Sequence, residues 1–263
     1  MRTSVREFVA MVSRTLPTTS PIYEFGAFQV PGQEKLADLR PFFLGKEYIG
    51  TDMRHGPGVD IVLNLHKIDL PSESAGSILC LDTLEHVEHP HLAMQEIYRV
   101  LQPGGIAVIS SVMLWHIHDH PNDYWRFTPE AFRSILKPFE NSFVGYAGEE
   151  VFPHTVVGIG FKGDFPREFN GFVAEFEEWQ QKAYLNWKFE QPPQLRNLFE
   201  KLSPKSQPEA TVVELAPAQS EPLPQPNLSF KRKIIELIRL ICPPVVFRWG
   251  SRVFWFFYRK IKE

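Results

Sequence analysis

Cysteine is nearly missing from this chain. Cys80 and Cys242 are the only two in 263 residues, too few for a disulfide framework or a cysteine-built zinc site, and this usage points to a reducing compartment. Nowhere do about 18 charge-free apolar residues follow one another, the length a spanning helix needs. The first fifteen residues also lack an unbroken apolar core, because Arg2, Arg6 and Arg14 interrupt it. The expectation is an amphipathic helix within residues 1–19 rather than a secretory signal, and a cytoplasmic protein. No internal repeat is present, which excludes solenoids and propellers.

What is present describes a globular protein. A hydrophobic share of 43% beside 22% charged residues supports a buried core and excludes a collagen-like repeat, a coiled coil or disorder throughout. The net charge of −3 hides an asymmetry. From Lys231 onward nine basic residues face two acidic ones, so the tail carries +7 and residues 1–230 carry −10. An acidic body is a poor surface for nucleic acid, and no such partner is expected.

Residues 20–165 alternate between short apolar runs and helical stretches. Strands are expected at Ile22–Gly26, Glu47–Asp52, Val59–Leu63, Ser77–Leu81, Ile106–Ser110 and Val156–Phe161. Helices are expected around 34–43, over His91–Leu101 and from Thr128, a ready N-cap ahead of Pro129. Pro103-Gly104-Gly105 ends the second of these. Strands separated by helices imply a parallel sheet covered on both faces, a Rossmann-like α/β fold that binds ligands outside the carboxyl ends of its strands. Residues 165–202 continue as helix. The stretch 203–229 holds six prolines among polar residues and reads as a linker. The expected organisation is an N-terminal helix at 1–19, a domain at 20–202, a linker at 203–229 and a tail at 230–263.

Two patterns carry chemistry. In the first, Glu24-Phe25-Gly26 ends a strand and Asp52 ends the next one. A glycine there lets backbone amides approach a cofactor, and an acid 20–30 positions on can accept two ribose hydroxyls. Alone this is weak, since Asp52 could be a solvated carboxylate at a strand end. The second pattern is Leu84-Glu85-His86-Val87 after one strand and Arg99-Val100-Leu101-Gln102-Pro103-Gly104-Gly105 before the next. With this pair of motifs, residues 20–162 resemble the class I S-adenosylmethionine-dependent methyltransferases, in the large group with an LEHV…RVLxPGG signature. The resemblance implies a seven-stranded, mostly parallel sheet with a reversed final hairpin and S-adenosylmethionine as cofactor. It also implies that Glu24, Gly26, Asp52 and Asp82 bind that cofactor, with Asn64 and Leu65 at the adenine. Glu85 and His86 belong to the signature and read as structural. One departure stands out: the family shows Glu-x-Gly-x-Gly-x-Gly, and here Phe28 and Val30 occupy the later glycine positions.

The run Trp115–Thr128 falls between the fifth strand and the next helix, where an acceptor should enter. Three histidines and two aspartates crowd into it. A hydroxyl acceptor must lose its proton, which suits a histidine base, and His116, His118 and His120 are all candidates. Asp123, Tyr124, Trp125 and Arg126 would form an acceptor wall, with Trp125 offering a flat face to a sugar ring. This segment resembles the DYWRFT stretch of methyltransferases associated with bacterial surface-glycan synthesis. The opposing reading is a polar loop capped by structural aromatics, with Arg126 paired to an acid. No metal is expected, because His-x-His-Asp-His is one residue short of the metallo-β-lactamase pattern and lacks its sheet context. His86, His89 and His91 read as solvated surface around a helix start.

The tail mixes basic residues with Phe247, Trp249, Phe254, Trp255, Phe256, Phe257 and Tyr258, a composition suited to an anionic membrane surface. The expected function is O-methylation of a glycan or another small polar acceptor at the inner face of a membrane. A catalytically silent adaptor on the same fold is the alternative. A nicotinamide-dependent oxidoreductase would share the glycine–acid logic but leaves the signature motifs unexplained.

Overall fold

The computed structural model describes residues 1–118 and 121–190. Seven strands form one sheet: β1 (Ile22–Phe25), β2 (Tyr48–Asp52), β3 (Ile61–Val62), β4 (Ala75–Leu81), β5 (Leu101–Val112), β6 (Asn141–Gly148) and β7 (Pro153–Phe161). Their spatial order is β3-β2-β1-β4-β5-β7-β6. Pairing is parallel from β3 through β5, while β7 runs antiparallel to both β5 and β6. The order reverses between β1 and β4, and there the carboxyl ends of the strands open a crevice for a ligand.

Because successive side chains of a strand alternate between faces, β4 supplies both cores. Ile78 and Cys80 join Tyr23 and Phe25 of β1 under α3 (Pro90–Val100) and α4 (Pro129–Ile135). Leu79 and Leu81 face the other way, with Ile22, beneath α1 (Thr3–Thr15) and α5 (Phe169–Glu190). Helix α1 places Val5, Phe8, Val9 and Val12 on one buried stripe, the spacing expected of an amphipathic helix. Phe8 meets Phe176 edge-on and packs on Trp179, whose indole N–H donates to the Ser4 carbonyl at 3.0 Å. The N-terminal helix is thus part of the same core as the sheet.

The crossover from β1 to β2 differs from the expected helix over 34–43. It holds a four-residue helix, α2 (Glu34–Ala37), and a 3-10 turn at Arg40–Phe42. Gly32, Pro41 and Gly45 punctuate this stretch and leave no run long enough to propagate a helix. Strand β5 begins five residues before Ile106, so Pro103-Gly104-Gly105 lies inside it. Strand β6 has no counterpart in the sequence reading. Thr128 caps α4 as expected, its hydroxyl accepting from the Ala131 N–H at 3.1 Å. The linker and tail expected over 203–263 lie outside the described residues. No helix among the described residues is long and apolar enough to cross a membrane.

Candidate functional site

The carboxyl ends of β1, β2 and β4 lie side by side, because Phe25 pairs with both Thr51 and Cys80. Gly26, Asp52 and Asp82 therefore emerge along one edge. Gly26 has φ +84°, and a Cβ there would sit 2.1 Å from Thr83 Oγ1, so both backbone conformation and packing require glycine. That Thr83 hydroxyl bonds the carbonyls of Leu81 at 2.8 Å and Phe25 at 3.2 Å. It ties the start of the loop after β1 to the end of β4.

Phe28, at a position where the family has glycine, folds against Gly56 of the β2–β3 loop, and the Arg54 guanidinium lies 4.5 Å from its ring centre. The ring braces that loop, and Val30 is exposed. Asp52 Oδ1 accepts from the backbone N–H of Arg54 at 3.0 Å and from its Nε at 3.2 Å. Among the described residues Oδ2 takes no hydrogen bond and remains an acceptor for a ligand hydroxyl.

Glu24 points away from this edge. It shares the α1 face with Ile22, is almost fully buried, and accepts from the Tyr48 hydroxyl at 2.6 Å. Burial pushes its carboxyl up to about 7 against the lowering effect of that bond. Leu65 is a core residue, and the Asn64 side chain accepts from the His66 N–H at 2.9 Å. The structure thus brings Gly26, Asp52 and Asp82 together. Glu24 and Leu65 are turned into the packed interior.

Asp82 sits at φ +45°, just beyond β4. Its Oδ1 accepts from Arg2 Nη2 at 2.6 Å and from the Ser110 hydroxyl at 2.9 Å, and its Oδ2 from Arg2 Nε at 3.2 Å. Burial works to raise its pKa, but the Arg2 charge and hydrogen bonds outweigh it and hold the carboxyl below its ordinary value. Arg2 also reaches the His154 carbonyl at 3.0 Å and the Thr155 hydroxyl, both on β7. Sequence reasoning missed Arg2, since an arginine near the start of an amphipathic helix reads as solvated.

Beside Asp82, the turn Leu84–His86 buries Glu85, which is 1% exposed. Burial first, and then the Asp82 charge, push its carboxyl up to about 7, although the Ser111 hydroxyl donates to it at 2.6 Å. The Glu85 carbonyl accepts from the backbone N–H groups of Tyr124 and Trp125 at 2.8 and 3.2 Å, and the Trp125 indole N–H donates to the Val87 carbonyl at 3.0 Å. Leu84-Glu85-His86-Val87 is thus the platform on which the 115–127 loop rests, and Phe127 closes that loop by pairing with Val112.

Within the loop, the Asp123 side chain is 2% exposed and is gripped by Arg126, with Nη2–Oδ2 at 2.7 Å. Hydrogen bonds from Arg126 outweigh burial and hold Asp123 well below the ordinary carboxylate range. Arg126 also bonds the carbonyls of Trp115, His116 and Trp125. These two residues staple the loop together, while Tyr124 and Trp125 expose large apolar faces. His118 lies with Nδ1 3.2 Å from Asp123 Oδ2 and its ring 4.8 Å from that of His86. His116 is exposed at the rim. His120 lies outside the described residues. Trp125 also borders a groove of about 500 Å³ shared with His91, Leu92 and Phe127.

The strand order with its antiparallel β7 defines a Rossmann-like α/β fold of the methyltransferase type. The methyltransferase-domain family matches residues 46–109, from just before β2 into β5. Over that stretch the chain is similar to methyltransferase domains. No curated protein matches the sequence. Similar solved structures include a S-adenosylmethionine-dependent methyltransferase, possible histamine N-methyltransferase, from Thermotoga maritima. It is 20% identical with TM-score 0.43, over 61% of this chain and 89% of that one. A methyltransferase from Archaeoglobus fulgidus is 16% identical with TM-score 0.44, over 60% and 94%. The trans-methyltransferase CalH, in complex with S-adenosylhomocysteine, is 17% identical with TM-score 0.45, over 60% and 55%.

S-adenosylmethionine is the cofactor of this domain class, and the donor set at the edge fits it. Asp52 would offer Oδ2 to ribose hydroxyls, and Asp82, held below its ordinary pKa by Arg2, lies at the next position along the crevice. Asp82 already holds Arg2, so a cationic group bound there would share or displace that partner.

Proposed function

We propose that the protein methylates a hydroxyl oxygen of a glycan or another small polar acceptor. The observation that carries this reading is the joining of two regions at one edge: the Gly26–Asp52–Asp82 row and the 115–127 loop, which rests on the Glu85 carbonyl. The cofactor supplies an electrophilic methyl group on a positively charged sulfur that leaves readily. The chain must bind the acceptor, bring it into line, exclude water and take its proton.

Asp52 holds the ribose hydroxyls, Gly26 lets the backbone approach, and Asp82 serves the methionine portion. Glu24 and Leu65, packed in the interior, would act only through the backbone they hold, and the exposed Asn64 is the candidate for contact with adenine. Trp125 and Tyr124 present flat faces to the acceptor, and Asp123 with Arg126 keeps the loop in shape. The proton goes to a histidine of the 116–120 run, with His116 the exposed candidate. A positioned base of this kind is worth about 10²–10⁴-fold in rate.

The reading is tested by methyl transfer from labelled cofactor to a panel of glycans, comparing the natural chain with His116→Ala and Trp125→Ala. Transfer to a glycan that both substitutions reduce supports it. Transfer that neither substitution affects removes these residues from the acceptor site.

Residues 230–263 would bring this domain to an anionic membrane surface on the cytoplasmic side. A chain lacking them that pellets with anionic vesicles as fully as the whole chain would overturn that role. One observation favours a second reading, the catalytically silent adaptor: Arg2 occupies both oxygens of Asp82. Absence of cofactor binding by folded protein would favour it.

A further inference from the structure

We propose that Glu85, His86 and His118 form a binding site for a first-row divalent cation of the zinc type. One ligand atom from each lies within 4.8 Å of the others. Two imidazoles and a carboxylate are a donor set such cations favour. The residues come from separate elements, the turn after β4 and the loop after β5, and the fold brings them together across 33 positions of sequence.

Three features of the surroundings suit a metal. The Glu85 carboxylate is buried, and among the described residues no lysine or arginine forms an ion pair with it. A buried carboxylate calls for a neutralising partner, and a cation held by two imidazoles supplies one. The Ser111 hydroxyl fixes its direction at 2.6 Å. Each histidine, in turn, has Nδ1 aimed at an acceptor: His86 at the Asn122 carbonyl, 2.6 Å away, and His118 at Asp123 Oδ2, 3.2 Å away. An orienting carbonyl or carboxylate behind a ligating imidazole is the usual outer support of metal sites.

With metal–ligand bonds of about 2.0–2.2 Å, tetrahedral ligand atoms sit roughly 3.4 Å apart. The three groups, within 4.8 Å of one another, would therefore close by up to about 1.4 Å when the ion enters, a movement open to the partly exposed His118 ring. Three protein ligands leave a coordination position open, beside the loop expected to receive the acceptor, where an acceptor oxygen can bind. His118 is then a ligand, and His116 is left as the base.

The test uses the full chain, stripped with a chelator and titrated with Co²⁺ by visible absorption and with Zn²⁺ by calorimetry, without cofactor. One equivalent is expected, with the intense visible bands of low-coordinate cobalt. His86→Ala and His118→Ala should each weaken binding by on the order of 100-fold. Glu85→Gln should do the same, and His91→Ala, at the nearby surface, should bind as the natural chain does. No binding by the natural chain, or undiminished binding by both His86→Ala and His118→Ala, overturns the site. Circular dichroism identifies any variant that has not folded; if Glu85→Gln is one, the histidine variants decide. With no cofactor in the titration, its failure and a failure of methyl transfer are separate results.

Discussion

Arg2 and Asp82, eighty positions apart, form a two-pronged ion pair at the carboxyl end of β4, with Nη2–Oδ1 at 2.6 Å and Nε–Oδ2 at 3.2 Å. The same guanidinium reaches β7 through His154 and Thr155. One side chain therefore fastens the N-terminal helix across the middle of the sheet, and it does so on a carboxylate that the methyltransferase reading assigns to the cofactor.

Cutting this fastening should be costly. The two side chains are 15% and 14% exposed, and removing one partner of a buried pair leaves the other charge uncompensated. Arg2→Ala should lower stability by about 3 kcal/mol, read as a shift of the urea midpoint. An unchanged midpoint would show that α1 is held without this pair.

The loop after β1 makes a sharper steric prediction. Gly26→Ala forces a side chain into φ +84° and against Thr83 Oγ1, and should cost about 1–3 kcal/mol. Adding Thr83→Ala should recover the steric part and leave the backbone part. A double variant no more stable than Gly26→Ala alone would contradict the contact.

Stability should also fall with pH because of Glu24. Its folded pKa, about 7, lies above the ordinary 4.5, so the folded chain holds the proton more tightly than the unfolded one. The favourable contribution is complete below about 4.5 and is lost as pH rises through 7. A shift of this size is worth about 3 kcal/mol. Glu24→Gln, which can still accept from Tyr48, should flatten the decline in melting temperature between pH 4.5 and 8. Parallel profiles for the two proteins would show that Glu24 stays charged throughout.

Much of this arrangement was legible in the sequence, for physical reasons. Strands buried on both faces, such as Ser77–Leu81, read as continuous apolar runs. Thr128-Pro129 announces a helix start by capping chemistry, and the pairing of Leu84–Val87 with Pro103–Gly105 pointed to the methyltransferase sheet. Strand β6 escaped because Asn141, Ser142 and two glycines dilute its apolar pattern; its pairing with β7 makes it a strand. Glu24 shows a subtler limit. Its distance from Gly26 matches the cofactor motif, but strand alternation turns it toward Tyr48. Arg2 was invisible for another reason, since nothing local to residues 1–15 distinguishes an arginine in solvent from one reaching a carboxylate eighty residues on. The 115–127 loop lay between: its aromatic and charged residues were evident, whereas the stapling of Asp123 to Arg126 needed the folded backbone.

The Asp123–Arg126 staple gives a further test. Asp123→Ala removes the acceptor that holds Arg126 and the backbone N–H of His118. Limited proteolysis should then cut within 115–127 at least several-fold faster, while the sheet keeps its circular dichroism signal. Equal cleavage rates would mean that the loop is held by its other contacts, among them those of Tyr124 and Trp125 with the Glu85 carbonyl.

The most direct test of the account is calorimetric titration of the full chain, and of Asp52→Ala, with S-adenosylmethionine and S-adenosylhomocysteine. Losing the carboxylate proposed for the ribose hydroxyls should weaken binding by about 1–3 kcal/mol, roughly 5- to 150-fold. The account predicts a single site in the natural chain with a Kd of tens of micromolar or tighter, weakened by that amount in the variant. No uptake of either compound by well-folded protein, or equal affinity in both chains, would contradict it.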